Sequence, residues 1–301
     1  MSSGWFKPHG TLAHDSGPMS ITAEQAGWTY SGLTVIDRDC SMDLTGPGEE
    51  SREAVILPLS AKGATLTVTS PSGEATTYTL QGREGVFAAV SDWVYAGRGS
   101  SLDFSGVHGE IAILTAKARA DHPSVYTAAA DVPVEVRGGG RATRQVTNIA
   151  TPDSFTGADR ICVCEVITPG GNWSSWPPHR HDGIGDCPTT NEEIYYFRIG
   201  KQESLHGDPE GTGLFRVYTV DGGVDETVTI RDADTYLVPE GYHGPTAAAP
   251  DYPMYFLNVL AGPGEDRTMA FCDDPNHHWI RGTWSDTDAR LPMTSAEGRI
   301  R

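Results

Sequence analysis

The sequence predicts an all-β protein built from two barrels in tandem. Short runs rich in β-branched residues recur along the chain and are separated by turns such as residues 221–223. This spacing is typical of sandwiches and barrels. No segment shows a long apolar period of 3.6 residues. The 301 residues suit two domains of about 150 residues each.

The predicted elements follow a similar plan in both halves, which indicates a divergent duplication of one barrel. In the first half we predict a helical turn at residues 23–27 and strands at residues 33–36, 53–57, 65–69, 111–114 and 133–136. The glycine-rich residues 137–141 are interpreted as a linker. In the second half we predict strands at residues 160–167, 193–199, 214–220, 226–230, 235–238 and 254–260, and a helical turn at residues 276–282. We therefore expect an N-terminal barrel over residues 1–137 and a C-terminal barrel over residues 138–301.

Composition excludes several classes of partner. A formal net charge of −18 makes nucleic acids and anionic membranes poor partners, because binding them requires basic patches. No stretch approaches the roughly 18 apolar residues of a membrane span, and the first residues lack an apolar signal core. The five cysteines are an odd number, and they are scattered along the chain. We therefore expect reduced thiols and a cytoplasmic location.

The second half contains residues that predict a metal site. His179 and His181 are two positions apart, so a strand would point both imidazoles to one face. Glu193 precedes Gly200 by seven residues, and His243 follows a Pro-x-Gly turn. Imidazole and carboxylate ligands suit Zn²⁺, Mn²⁺ or Fe²⁺. The first half has no His-x-His pair, and we expect its barrel to lack a metal.

This arrangement resembles the cupin signature, in which a first motif supplies two His and a Glu and a second motif supplies a third His. More specifically, six segments resemble the 5-deoxy-glucuronate isomerase family of inositol catabolism: residues 173–182, 192–199, 216–219, 238–243, 255–262 and 274–279. The related 5-keto-4-deoxyuronate isomerases share the fold and the metal set. The resemblance implies a bicupin, with two cupin (double-stranded β-helix, jelly-roll) barrels in tandem. It also implies a divalent ion, Zn²⁺ or Mn²⁺, held by His179, His181, Glu193 and His243.

The activity that this resemblance implies is aldose-ketose isomerisation of a small sugar acid, 5-deoxy-glucuronate, to 5-dehydro-2-deoxy-gluconate. A homo-oligomer is compatible with the sequence. Two alternatives stay open at this point. One is a cupin dioxygenase that uses Fe²⁺ and O₂, and the other is a bicupin that binds a sugar without turning it over.

Candidate residues for the chemistry flank the predicted ligands. The candidate catalytic residues are Glu192, Asp182 and Tyr195. Glu192 and Asp182 are candidate bases for proton transfer between the carbons, and Tyr195 and Tyr218 are candidate hydrogen-bond donors to sugar oxygens. The substrate carboxylate requires a guanidinium, which binds it with two parallel hydrogen bonds. The candidates are Arg216, Arg198 and Arg180. Arg216 is favoured, because the other two alternate away from the ligands on their own strands.

Overall fold

The computed structural model of the protein describes residues 4–46, 50–201 and 204–300. Its regular structure is almost entirely antiparallel β-sheet, which confirms the predicted fold class. The strands of the first half are β1 (Phe6–Lys7), β2 (Met19–Ile21), β3 (Ser31–Ile36), β4 (Cys40–Asp43), β5 (Arg52–Pro58), β6 (Ala64–Thr69), β7 (Ala75–Leu80), β8 (Trp93–Ala96), β9 (Ser101–Ser105), β10 (Ile111–Lys117), β11 (Val125–Thr127) and β12 (Val134–Arg137). Those of the second half are β13 (Arg144–Ala150), β14 (Cys162–Thr168), β15 (Trp173–Ser174), β16 (His179–Arg180), β17 (Glu192–Ile199), β18 (Gly213–Tyr218), β19 (Asp225–Ile230), β20 (Thr235–Val238), β21 (Tyr242–Ala248), β22 (Met254–Ala261), β23 (Cys272–Asp273), β24 (Thr294–Ser295) and β25 (Gly298–Arg299).

The first barrel consists of a six-stranded sheet in the order β11-β8-β5-β10-β3-β2 and a four-stranded sheet in the order β4-β9-β6-β7. Side chains alternate across each strand, so one face of each sheet points to a common interior. That interior is apolar, and both sheets contribute to it through residues such as Ile56, Val94, Ile113, Leu66 and Phe104.

The second barrel consists of a seven-stranded sheet in the order β1-β20-β17-β22-β14-β13-β12 and a second sheet in the order β19-β18-β21-β16-β23, with β15 also pairing with β21. Its interior is rich in aromatic side chains, which include Tyr195, Phe197, Phe215, Tyr236 and Phe256. The strand order repeats that of the first barrel. The series β8-β5-β10-β3-β2 corresponds to β20-β17-β22-β14-β13, and β4-β9-β6-β7 corresponds to β16-β21-β18-β19.

Strands from the first half join the large sheet of the second barrel. Strand β1 pairs with β20, and β12 pairs with β13. The glycine-rich residues 137–141 therefore connect the two strands of a hairpin. The division into barrels after residue 137 remains a proposal, and the pairing of β12 favours a division before that strand.

Short helical segments are also present where the sequence predicts them. The helix α1 (Ala23–Ala26) begins with a capping box, in which the side chains of Thr22 and Gln25 each bond the other residue's backbone N–H. It ends at Gly27, whose positive φ of 75° suits a residue without a Cβ. A 3-10 helix at His278–Thr283 replaces the turn predicted at residues 276–282.

The two barrels pack through the outer faces of their large sheets. The shared core contains Val55, Leu57 and Leu114 from the first barrel and Ile194, Tyr196 and Leu257 from the second. Alternate residues of β5 and of β17 therefore point into their own barrel, and the residues between them contact the neighbouring barrel. This explains why both strands are buried along nearly their whole length.

Two glutamates, which we call the carboxylate clamps, tie the barrels together in a reciprocal way. Glu53 on β5 accepts hydrogen bonds of 2.6–2.8 Å from the backbone N–H groups of residues 159–161 and one of 2.6 Å from the hydroxyl of Tyr95. Glu192 on β17 accepts three bonds of 2.8 Å from the backbone N–H groups of residues 29–31. Strands β5 and β17 hold corresponding places in their sheets. Each barrel thus holds the loop that leads into the other barrel's corresponding strand, β14 or β3.

A buried ion pair also crosses the interface between the barrels. Both terminal nitrogens of Arg83 bond the carboxylate of Glu165, and the hydroxyl of Tyr255 donates to the same carboxylate at 2.7 Å. The remaining donors of Arg83 reach the backbone carbonyls of Pro58 and Ala89, each at 3.0 Å. The pair is therefore buried with its hydrogen bonds satisfied, which offsets the cost of removing two charges from water.

We predict that Glu165→Ala lowers the free energy of unfolding by about 3–5 kcal/mol, because it leaves the guanidinium of Arg83 buried without its counter-charge. The double variant Arg83→Met, Glu165→Leu should lose clearly less than the single variant, since no unpaired charge remains. Urea unfolding followed by fluorescence measures both. A loss below about 1 kcal/mol for Glu165→Ala would contradict the role assigned to this pair.

Candidate metal centre and its pocket

The residues predicted as metal ligands meet inside the second barrel. Strand β16 pairs with β21 so that His179 stands opposite His243 in the register, and His181 follows directly after β16. Glu193 comes from β17 in the facing sheet. The two sheets of the barrel thus bring together residues that lie up to 64 positions apart in the chain.

Three of these side chains form a compact group. Nε2 of His181 lies 2.9 Å from Oε2 of Glu193, and Nε2 of His243 lies 3.1 Å from the same oxygen. All three donor atoms are buried and lie within 4.8 Å of one another. The ring of His179 is centred 4.4 Å from that of His243 and 6.3 Å from that of His181, so it borders this group.

Backbone carbonyls and charge fix the state of these groups. Nδ1 of His181 lies 3.0 Å from the carbonyl oxygen of Asn191, the kind of contact that orients a ligating imidazole. Burial opposes ionisation of Glu193, but hydrogen bonds from His181 and His243 outweigh it and hold the pKa of the carboxyl well below its usual range. Burial, followed by repulsion from His243, lowers the pKa of His179 well below its usual value. Glu193 is thus ionised and His179 neutral, as ligation requires.

The group fits a divalent metal ion by its own chemistry. Nε2 of His181 and Nε2 of His243 converge on one carboxylate oxygen of Glu193, and all three residues are buried, as expected for groups that surround a cation. Imidazole nitrogens combined with one carboxylate are a donor set for first-row divalent ions. His181, Glu193 and His243 could hold such an ion directly, and His179 is placed to complete the set.

Two of the predicted proton-transfer residues do not line the pocket around this group. The carboxylate of Glu192 is occupied by the carboxylate clamp to the other barrel, because it directly precedes Glu193 and therefore points to the opposite face of the strand. Asp182 bonds the guanidinium of Arg180 and the backbone N–H groups of Ile184 and Gly241. Both carboxylates thus hold backbone N–H groups outside the pocket, an arrangement that does not favour the prediction that either acts as a base.

Tyr195 does reach the pocket. It lies two residues after Glu193 on the same face of β17, and its ring is centred 5.9 Å from that of His243. Its hydroxyl is 3.3 Å from the hydroxyl of Ser175. Burial, reinforced by the charge of Glu193, raises the pKa of Tyr195 well above its usual value, so the phenol stays protonated.

The arginines predicted to anchor a substrate carboxylate have other partners in this structure. Arg216 makes two bonds of 2.9 Å to Asp225 on the neighbouring strand β19. Arg198 bonds Asp232 at 2.9 Å and also pairs with Glu110 of the first barrel. Neither side chain lines the pocket, because both alternate to the outer face of their sheet.

Arg180 and Tyr218 are likewise outside the pocket. Arg180 is buried against the loop that follows β16, with contacts of 2.8 Å to Asp182 and 2.9 Å to Asp186. The hydroxyl of Tyr218 donates to Asp274. These contacts fix the loops around the metal group and leave neither residue free to bind a substrate.

The metal group opens into a cavity of about 980 Å³. Its wall contains polar residues that the sequence did not indicate: Arg137, Arg144, Asn148, Asn258, Arg267, Arg281 and Trp284. For Arg137 and Arg144 a signal was present in the glycine-rich segment beside them, which we interpreted as a linker. Gly139 shows the reason, because a Cβ there would lie 2.6 Å from the Cβ of Trp284. The segment is part of the pocket wall.

A disulfide joins Cys187 to Cys272, which corrects the expectation that all thiols are reduced. The two residues lie 85 positions apart, but Cys187 belongs to the loop after β16 and Cys272 to strand β23, which pairs with β16. Next to Cys272, the ring of Phe271 is centred 4.6 Å from that of His179. The disulfide therefore fixes the chain on both sides of the ligand strand.

No helix of the described residues is long and apolar enough to span a membrane.

Comparison with known proteins identifies close relatives. A model of the KduI/IolB family matches residues 5–280. A 5-deoxy-glucuronate isomerase of Geobacillus kaustophilus is 33% identical over 280 residues, covering 86% of this chain and 89% of the relative. Another protein of that name, from Halalkalibacterium halodurans, is 34% identical over 273 residues and covers 90% of this chain and 93% of its own.

Solved structures agree with the fold. An IolB-like protein from Salmonella typhimurium LT2 superposes with a TM-score of 0.77 at 30% identity, covering 92% of this chain and 99% of that one. An oxalate decarboxylase from Lactobacillus farciminis superposes with a TM-score of 0.55 at 10% identity, covering 82% of this chain and 81% of that one. The second likeness concerns the fold alone. Together they support the predicted architecture of two tandem barrels.

We predict opposite effects for the adjacent glutamates of β17. Glu193→Gln should reduce bound metal to less than about a tenth of the wild-type content, because a carboxylate ligand is lost. Glu192→Ala should keep the metal and lose about 2–3 kcal/mol of stability, since three backbone N–H groups lose their acceptor. Metal analysis and urea unfolding are run on both variants. Metal loss in Glu192→Ala with retention in Glu193→Gln would reverse the assignment.

We predict that Cys272→Ser lowers the free energy of unfolding by about 2–4 kcal/mol, because the disulfide restricts the conformations that the unfolded chain can adopt. Cys40→Ser, at a half-buried free cysteine, is the matched control and should cost less than about 1 kcal/mol. Urea unfolding with and without dithiothreitol measures the effect. Equal unfolding midpoints for the wild-type protein in both conditions would contradict a stabilising disulfide.

Proposed function

The chain belongs to the KduI/IolB family, and we propose from this membership that it is a metal-dependent aldose-ketose isomerase. The proposed reaction converts 5-deoxy-glucuronate to 5-dehydro-2-deoxy-gluconate in myo-inositol catabolism. The observation that carries the proposal is the buried group of His181, Glu193 and His243, of which His181 and Glu193 line a cavity large enough for a sugar acid. The relatives named 5-deoxy-glucuronate isomerase support the substrate.

A divalent ion, which we propose to be Zn²⁺ or Mn²⁺, would supply Lewis acidity toward the carbonyl and neighbouring hydroxyl oxygens of the substrate. His179, His181, Glu193 and His243 are the proposed ligands. The neighbouring side chains stiffen this set. The backbone carbonyl oxygen of Asn191 orients His181, and the disulfide-bound segment holds the side chain of Phe271 against His179.

The other pocket residues orient the substrate. Tyr195 is protonated and lies beside the metal group, so we propose it as a hydrogen-bond donor to a sugar oxygen. Asn258 lies opposite Tyr195 in the register between β17 and β22. Its side-chain nitrogen is buried without a hydrogen-bond partner among the residues that the structure describes. These two groups present donors from neighbouring strands, which suits adjacent hydroxyl groups of a sugar.

Some further assignments belong to the same proposal. A cytoplasmic location fits an enzyme of sugar-acid breakdown, and a homo-oligomer is compatible with the fold. We also propose that the first barrel holds no metal. Ala54 follows its clamp residue Glu53, as Glu193 follows Glu192, and this alanine packs into the apolar interior.

The proposed activity is tested with metal-analysed protein and 5-deoxy-glucuronate under anaerobic conditions. We expect conversion to the ketose without oxygen, and a loss of at least about 100-fold in His243→Ala, because Lewis-acid stabilisation contributes several kcal/mol. His108→Ala, at an exposed position of the first barrel, is the control and should retain activity and metal.

Two outcomes would overturn the proposal. A reaction that requires and consumes O₂ would indicate a dioxygenase. Binding of the sugar acid by metal-loaded protein without any turnover would indicate a sugar-binding protein.

A further inference from the structure

The pocket wall carries more arginines than carboxylates, which are Glu135, Asp153 and Glu193, in contrast with the net charge of −18 for the whole protein. Four arginines line the cavity: Arg137, Arg144, Arg267 and Arg281. Most of them already have partners. Arg137 pairs with Glu135, and Arg281 makes two bonds to Asp273. Arg267 donates to the backbone carbonyls of Ile161, Thr151 and Phe155.

Arg144 differs from the other three. Within the described residues it makes one hydrogen bond, from Nη1 to the carbonyl oxygen of Ala142 at 3.1 Å, and it takes part in none of their ion pairs. A guanidinium has five N–H donors, so most of the donors of Arg144 have no partner in the described chain, and the residue lines the cavity. It is the first residue of β13 and follows the glycine-rich segment directly.

The surroundings of Arg144 favour an anion. Burial, then repulsion from Arg137 and Arg281, lowers the pKa of Arg144 to about 10 against a smaller opposing effect of Glu135, and the side chain stays protonated at neutral pH. A half-buried cation beside two like charges is costly without a counter-ion. A bound carboxylate would offset the repulsion between Arg144 and the two neighbouring arginines. It would also accept hydrogen bonds from the N–H groups of Arg144 that have no partner.

A second donor stands next to Arg144. The ring of Trp284 is centred 5.7 Å from the guanidinium carbon of Arg144 and 5.2 Å from that of Arg281. Its Nε1 is buried with no hydrogen-bond partner in the described part of the chain. An unpaired buried indole N–H on a pocket wall is placed to donate to a ligand.

The glycine-rich segment shapes this corner. A Cβ at Gly138 would lie 2.7 Å from Nη1 of Arg144, and one at Gly139 would lie 2.6 Å from the Cβ of Trp284. Glycine at both positions lets the backbone of the hairpin approach the two side chains. The glycine-rich segment therefore forms this part of the pocket wall.

We propose that Arg144, together with Nε1–H of Trp284, binds the carboxylate of the sugar-acid substrate. This inference rests on the proposed isomerase function, and it replaces Arg216, Arg198 and Arg180, whose guanidinium groups are held outside the pocket. In this arrangement the metal group binds the reacting end of the substrate, and Arg144 selects for an acid at the other end.

The test is Arg144→Gln assayed on 5-deoxy-glucuronate and on 5-deoxy-glucose, which lacks the carboxylate. For the acid, KM should rise about 10–100-fold, the effect of losing a charge-assisted bidentate bond. For the neutral sugar, variant and wild-type kinetics should agree within about threefold, and metal content should be unchanged. Arg216→Gln is the matched control and should leave KM for the acid near the wild-type value.

Calorimetry with glucuronate separates the anchor from the reaction. Metal-loaded wild-type protein should bind glucuronate at least about tenfold more tightly than Arg144→Gln, even if no isomerisation occurs. Trp284→Phe keeps the ring and removes the N–H, and it provides a second variant if Arg144→Gln fails to fold. We expect it to weaken glucuronate binding by about 3–10-fold. Unchanged glucuronate affinity in the folded variants would overturn the anchor and leave the proposed isomerase intact. Normal glucuronate binding by a wild-type protein that does not convert 5-deoxy-glucuronate would overturn the isomerase alone.

Discussion

The two-residue alternation of strand β17 is the constraint on which the site and the interface both depend. Glu193, Tyr195 and Phe197 point into the barrel and form the metal group and its aromatic support. The residues between them point outward to the first barrel, where Ile194 and Tyr196 enter the shared core. A shift of one residue would exchange these two sets completely. Interface and site therefore stabilise one register together.

The metal group was predictable from the sequence because its signals are local. Period-two spacing places His179 and His181, and a turn motif places His243. The seven-residue spacing to Gly200 then distinguishes Glu193 from Glu192. The neighbouring clamp role of Glu192 was not predictable, since it depends on backbone N–H groups about 160 residues away.

The anionic subsite was missed for a similar physical reason. The arginines predicted to bind the substrate stand beside the ligand motifs, and strand alternation turns their side chains outward. Arg144 and Trp284 come from a hairpin and from a segment 140 residues later in the chain. Only the packing of the hairpin against that segment brings them to one wall. The disulfide between Cys187 and Cys272 was missed in the same way, because cysteine counting carries no information on which strands pair.

The exchange of chain ends between the barrels has a consequence for how the protein can be divided. Strand β1 completes the large sheet of the second barrel, whereas the carbonyl oxygen of Ser295 accepts a bond from the backbone of Val90 in the first. A cut in the connection before β12 would leave each fragment lacking a piece that the other carries. Separately produced halves would then behave as complementing fragments that regain structure on mixing, and neither would serve as a portable module for fusion to another protein.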